Sequence, residues 1–315
     1  MQKLDIEADV ILLHPYDEGH WGFDRMPDDA DDRYLRYVVA RLAAFRNVWW
    51  SFANEYDLFV GRTMDDWDHY MQLVQQIDPY DHLRSIHNCF AFYDHTKPWV
   101  THCSIQNWNM YRVQVWRKLY GKPVVIDECG YEGDINMLWG DLSPEKMLHR
   151  FWLGFVQGGY VGHGETYVNE REELWWSKGG ELVGKSPARI AFLREIFEAA
   201  PRLTPVEKTD SEFVNVMEPG ARPFARGTRL IDTIMLEGPW NATAAGYHEA
   251  DYFLFYFGHH QPGFRRFNLP TDATFRVDVI DTWNMTIECI AEAASGALTV
   301  PLPARQYMAI RIQKN

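Results

Sequence analysis

Residues 48 to 57 read VWWSFANEYD, and the fold turns on them. The six residues Val48 to Ala53 are apolar or aromatic apart from Ser51. Such a run is too short for a buried helix and reads as a strand covered on both faces. It then stops on Asn54, Glu55, Tyr56 and Asp57. A carboxylate at the end of a buried strand is costly unless it is solvated, hydrogen-bonded or functional.

The surrounding chain alternates in the same way. ADVILLHPYD predicts a strand ending near His14, and DDRYLRYVVARLAAFRN a helix of amphipathic period. After VWWSFANEYD come a helix in MDDWDHYMQLVQQID, stopped by Pro79, and strands in LRSIHNC and WVTHCS. WNMYRVQVWRKLYG predicts a helix closed by Gly121, and KPVVIDECG a strand. SPEKMLHRFWLGFVQGG opens with Ser143 as N-cap and Pro144 in the first turn; YVGHGET is a short strand, and SPARIAFLREIFEAA a closing helix with the same Ser-Pro start.

Strand, helix, strand, helix with continuous apolar strands means a parallel sheet covered by helices. Six strands are expected. Polar residues follow each one: His14, Tyr16 and Asp17; Asn54 and Glu55; His87 and Asn88; His102; Asp127 and Glu128; His163 and Glu165. Six strand ends supplying polar groups fit the C-terminal rim of a (β/α)8 TIM-type barrel better than one crevice of a doubly wound sheet. No GxGxxG or Walker-type loop is present, which weakens a nucleotide-binding reading.

After about residue 205 the pattern changes. TRLIDTIMLE, DYFLFYFGHH, TFRVDVIDTWNMTIECI, LTVPLP and QYMAIRIQ are short β-type runs between turn residues. The expected division is a barrel over 1–205 and a small all-β sandwich over 206–315, with ARQYMAIRIQKN as its last strand.

The bulk properties narrow the partners. A net charge of -13, with no Lys/Arg-rich run, argues against nucleic acid and anionic membrane. No run of about 18 apolar residues predicts a membrane span. The four cysteines, Cys89, Cys103, Cys129 and Cys289, form no CxxC pair and read as reduced thiols. With no signal-like opening, they fit a cytoplasmic location. The sequons at Asn241 and Asn284 matter only after export from a glycosylating cell. Aromatic residues make up 15%, which suits stacking on the apolar faces of sugars. Trp21, Trp108, Trp139, Trp175 and Trp176 are the candidate platforms. No cofactor is implied, and oligomeric state is not readable.

Two strand ends each carry a Glu: Glu55 and Glu128, 73 residues apart with two strands between them. In a barrel that spacing places them across the pocket. Glycoside hydrolysis needs such a pair, one carboxyl protonated and the other ionised. ANEYD after one strand and VVIDECGYEG after the third strand further on resemble the retaining glycoside hydrolases of clan A. LHPYD, NVWWSFANEYD, RSIHN and the C-terminal β-domain extend the resemblance to a bacterial family related to apiosidase-like and endoglucanase-like barrels. It covers nearly the whole chain. It implies Glu55 as acid/base, Glu128 as nucleophile, and Asn54 on the sugar 2-hydroxyl. His14, Tyr16, His87, Asn88, His102, Tyr131, His163 and Glu165 would line the substrate pocket. The substrate would be an oligosaccharide or other glycoside.

The resemblance also counts ADVILLHPYD as strand three. The barrel is then expected to be incomplete, strands three to eight, with the true N-terminus upstream. Asp127 rivals Glu128, because alternation along a strand points only one of them inward. Asp57 and Glu132 are expected in solvated loops. Two alternatives stand beside this reading: a non-catalytic carbohydrate-binding module, and a metal-dependent barrel hydrolase using His14, His87, His102 and Glu128.

Overall fold

The computed structural model describes residues 1–16, 18–174, 181–206, 234–235 and 242–315. Asp17, Trp175, Trp176, Asn241 and most of TRLIDTIMLE lie outside the described residues. The chain divides into two compact units. One holds Met1–Asn107 and Val115–Glu128; the other holds Trp108–Gln114 and Cys129–Asn315.

In the first unit, strands and helices alternate as expected: β1 (Ala8–Leu13), α1 (Asp28–Leu42), β2 (Val48–Ala53), α2 (Met64–Ile77), β3 (Arg84–Ser85) and β4 (Cys103–Gln106). Then come α3 (Val113–Tyr120), whose first two residues belong to the second unit, and β5 (Val124–Glu128). The strand in LRSIHNC shrinks to a two-residue ladder. β1 pairs parallel with β2, β2 with β3, and β4 with β5. Thr101 N–H donates to Arg84 O at 3.0 Å, so the entry to β4 lies beside β3. β1-β2-β3 and β4-β5 are therefore each ordered in space as in sequence, as parallel βα units demand.

β2 is apolar because both of its faces are covered. Trp50 and Phe52 are fully buried, and Trp50 Nε1–H donates to Asp78 Oδ2 at 2.9 Å. Ser51 and Ala53 are also buried. α2 begins with a capping box, in which Thr63 and Asp66 satisfy each other's backbone N–H groups. Gly121 ends α3 at φ 64°, donating N–H to Arg117 O.

The second unit contains β6 (Glu132–Gly133), α4 (Pro144–Val156), β7 (Tyr160–Val161), β8 (Glu165–Thr166), α5 (Ser186–Glu198) and β9 (Thr204–Pro205). It ends with β10 (Ala244–His248), β11 (Tyr252–Tyr256), β12 (Phe264–Leu269), β13 (Phe275–Asp281), β14 (Thr286–Ala294), β15 (Gly296–Pro301) and β16 (Met308–Lys314). Ser143 caps α4 by accepting Lys146 N–H, as expected. Ser186 differs. It is the first residue inside α5, and its side chain does not cap the helix.

The C-terminal strands form a six-stranded sheet, ordered β14-β13-β16-β11-β10-β9, and a two-stranded sheet, β12-β15. Phe253, Phe255, Val277, Ile310 and Ile312 from the larger sheet share one core with Phe267, Leu269 and Val300 from the smaller. That is the sandwich arrangement expected. TFRVDVIDTWNMTIECI is a hairpin of two strands, and β10 and β12 are additions the patterning missed. β12 reads FRRFNL, and its consecutive arginines hide the alternation that buries only Phe267 and Leu269.

Candidate active site

β2 delivers Glu55 through a backbone turn. Asn54 N–H still continues the ladder to Leu13 O at 3.1 Å, and Tyr56 N–H donates to His87 O at 2.9 Å. Between them Glu55 sits in the left-handed region, at φ 47° and ψ 56°. For a residue with a Cβ this conformation costs about 1–2 kcal/mol, which the flanking hydrogen bonds must offset. The Tyr16 hydroxyl donates to the Glu55 carboxylate, and Asn54 Nδ2–H donates to the Tyr16 oxygen at 2.9 Å. Burial first, then a hydrogen bond and the charge of Glu55, push the Cys89 thiol up to about 12; Asp57 and Glu128 add to it. Cys89 is therefore protonated. The loop carrying it is fixed by Asp57, which accepts N–H from Cys89, Phe90 and Ala91 at 2.6 to 2.7 Å. Asp57 is thus a loop anchor.

The rivalry between Asp127 and Glu128 has a geometric answer. Ser104 pairs with Val125 but Gln106 pairs with Glu128, so β5 carries one extra residue across from β4. Such a bulge breaks strict alternation. Both carboxylates consequently reach His87: Asp127 Oδ2 lies 3.4 Å from Nδ1, and Glu128 Oε1 lies 3.5 Å from Nε2. Ser104 Oγ, 3.2 Å from Nδ1, donates its own proton to Asp127, and Gln106 Oε1 lies 3.0 Å from Nε2. Burial pushes His87 down, but hydrogen bonds and charge from Asp127 and Glu128 outweigh it and raise it to about 10. Asp9 on β1 belongs to the same field. Desolvation and the Asp127 charge push it up to about 6, against a smaller opposing effect of His87.

The remaining expected residues separate into groups. His14 lies stacked 6.1 Å from Tyr16 and tilted against Phe23 at 5.9 Å. The buried Asn88 amide bridges the Gln106 backbone, Nδ2 to O at 3.4 Å and Oδ1 to N at 3.3 Å. His102 is buried against the edge of Trp49, with Nδ1 3.0 Å from Thr101 Oγ1; burial pushes it down. Ser104, Gln106, Cys89 and Asp9 were not singled out from the sequence. The signal available was Asp9, a charge inside an otherwise apolar strand.

Tyr131, His163 and Glu165 belong to the second unit. Tyr131 meets Trp139 edge-on at 5.8 Å. Trp139 is 43% exposed, against 72% for Trp21 and 65% for Trp108. Glu165 accepts Val183 and Gly184 N–H at 2.9 and 3.0 Å. Glu132, expected in a solvated loop, is fully buried and accepts Lys185 and Ser186 N–H at 2.7 and 2.9 Å, with Tyr167 OH at 2.9 Å. β6 and β8 pair these two glutamates side by side. A Cβ on Gly184 would lie 2.6 Å from Glu165 Oε1, so glycine allows the approach. Glu132 thus takes over the capping that Ser186 does not perform, at the positive end of α5, while Glu165 holds the chain just before it. His163 Nε2 lies 3.1 Å from Ser186 Oγ, and burial pushes it down.

Among the described residues, Glu132, His163 and Glu165 form the group whose ligand atoms all fall within 4.8 Å, as a metal site requires. Backbone N–H groups already occupy both carboxylates, and a helix N-terminus opposes a cation. His14, His87, His102 and Glu128 do not form such a group.

The structure resembles a candidate glycoside hydrolase from Bacteroides vulgatus ATCC 8482, with 36% sequence identity and a TM-score of 0.82. The match covers 100% of this chain and 61% of that protein, so the chain spans about three-fifths of its relative's length. It also resembles a glycoside hydrolase of family 5 from the same organism, at 14% identity and a TM-score of 0.66, over 98% of this chain and 70% of that one. A further glycoside hydrolase matches at 13% identity and a TM-score of 0.67, over 99% and 74%. The structural relatives are thus glycoside hydrolases, and the α/β part has their TIM-barrel-like fold. Residues 240–313 match a domain of unknown function, DUF5605. No curated protein matches the chain.

Proposed function

We propose that the protein is a retaining glycoside hydrolase, with Glu128 as nucleophile and Glu55 as acid/base. The observation that carries this is His87, whose carbonyl accepts the N–H of Tyr56, next to Glu55, at 2.9 Å and whose Nε2 lies 3.5 Å from Glu128 Oε1. Two strand-end glutamates are therefore held at one residue, within one compact unit. On this reading β1 to β5 are barrel strands three to seven, and the barrel is incomplete within this chain. Residues 1–205 form the barrel part and 206–315 the β-domain.

Glu128 attacks the anomeric carbon of an oligosaccharide or glycoside. The C–O bond to the leaving group breaks as Glu55 gives its proton to that oxygen. Glu55, now ionised, takes a proton from water, which attacks the same carbon and releases Glu128. Tyr16 and Asn54 hold the acid/base.

The test is covalent trapping. A panel of 2-deoxy-2-fluoro glycosyl fluorides is incubated with the protein, and the labelled peptide is mapped by mass spectrometry. A label on Glu128, with products of retained anomeric configuration by proton NMR, supports the reading. A label elsewhere, inverted products, or sugar binding with no turnover over days overturns it; the last outcome favours the carbohydrate-binding alternative.

A further inference from the structure

We propose that His87, clamped by Asp127, is a positioning residue that aims the Glu128 carboxylate and sustains its charge. The proposal rests on reading Glu128 as the nucleophile. Its geometric basis is the bulge in β5, which turns two adjacent carboxylates onto opposite nitrogens of one ring. His87 is 2% exposed, whereas the side chains of Asp127 and Glu128 each keep 26%. The ring is thus the buried partner, and the carboxylates are the ends that substrate can approach.

Every strand of the first unit contributes to this field. Asp9 comes from β1, and Glu55 follows β2. Ser104 and Gln106 come from β4, with His102 just before it. Only His87 among these offers a cation close to Glu128 at neutral pH, and the balance of its neighbours favours that charged state. Asp127 holds Nδ1 directly and through Ser104, which leaves Nε2 aimed at Glu128 and Gln106. A nucleophilic carboxylate must be ionised before it attacks, and an opposite charge within about 4 Å favours that form. Without His87, Glu128 would lose a cation 3.5 Å from its carboxylate.

A purely structural role for His87 would move stability alone, so the test needs a readout of charge. The full chain, labelled with 15N, is titrated while long-range 1H–15N spectra report each imidazole. One ring should stay doubly protonated beyond pH 8, and its signal should vanish in His87→Gln. Glu128→Gln should lower the titration of that ring by about one unit or more. A His87 that is neutral at pH 7, or is indifferent to Glu128→Gln, overturns the proposal. In kinetics, His87→Gln should move the acid limb of kcat/KM upward by about one unit and lower kcat more than it raises KM. Unchanged kinetics in that variant overturn the proposal and leave the glycosidase reading standing. Failure of trapping on Glu128 in the unmodified protein overturns that reading instead, whatever the spectrum of His87.

Discussion

Glu128 Oε1 stands 3.5 Å from His87 Nε2, across a bulge that gives β5 one residue more than β4. That contact separates Glu128 from Glu55, whose close partners are Tyr16 and Cys89. Two carboxylates with different company are what an acid and a nucleophile require.

The two should fail differently. Glu128→Ala is expected to abolish turnover of every glycoside. Glu55→Ala should lower kcat/KM by about 10²–10⁴-fold on substrates with poor leaving groups. It should have little effect on the first step with dinitrophenyl glycosides, whose leaving oxygen needs no proton. Steady-state kinetics over a leaving-group series check this; equal losses across the series would refute the acid role.

Tyr16 links Asn54 to Glu55 by one hydroxyl. Tyr16→Phe removes only that oxygen. A hydrogen bond to a charged group contributes about 1.5–3 kcal/mol, so a loss of about thirtyfold in kcat/KM is expected. Circular dichroism should stay native, because Tyr16 is 50% exposed. A variant with full activity would remove Tyr16 from the site.

Glu132 is a structural carboxylate, and its pH dependence should reveal it. Burial pushes it up, but hydrogen bonds from Ser186, Lys185 and Tyr167 outweigh that and hold it below its ordinary 4.5. A depressed carboxyl contributes stability that is present above the unfolded value and lost as pH falls through the folded one. Glu132→Gln should therefore lower the melting temperature at pH 7, and the gap from the unmodified protein should narrow below pH 4.5. A gap constant from pH 7 to pH 3 would contradict this.

His149 predicts a second acid window. It is buried in the second unit with Nδ1 3.0 Å from the Tyr256 hydroxyl and the His259 ring stacked 4.1 Å away. Burial, then the charges of His259, Arg150 and His260, push it down to about 3. The unfolded chain takes up this proton near pH 6.5 and the folded one does not. Stability should therefore fall as pH drops below 6.5, before the carboxyl window opens. His149→Gln should flatten urea midpoints measured between pH 6.5 and 4.5; an unchanged slope would show that His149 is not the group responsible.

Much of this was legible in the chain. The apolar period and the turn residues mark β2, α2 and α4 because those signals act over a few neighbouring positions. The abrupt end of VWWSFA on Asn54 and Glu55 marked a candidate site residue, since a buried strand tolerates a carboxylate only for a reason. Alternation, applied to Asp127 and Glu128, misled because the bulge depends on the register with β4, which a single strand does not encode. Glu132 misled for a related reason. A glutamate in a Gly-rich stretch reads as solvated until packing brings the N–H groups of Lys185 and Ser186, 53 and 54 residues away, onto its oxygens.

The chain alone thus specifies the principal helices and the apolar strands, the order of an α/β part before an all-β part, and the two glutamates that end strands. Those are consequences of side-chain period and of the cost of burying charge near the site of that charge. Only the tertiary structure decided what each polar residue does there. The charge on His87, the anchoring of a loop by Asp57 and the capping of α5 by Glu132 depend on partners brought together by folding. Hydrogen bonds and Coulomb interactions act over a few ångströms of space, whatever the separation along the chain.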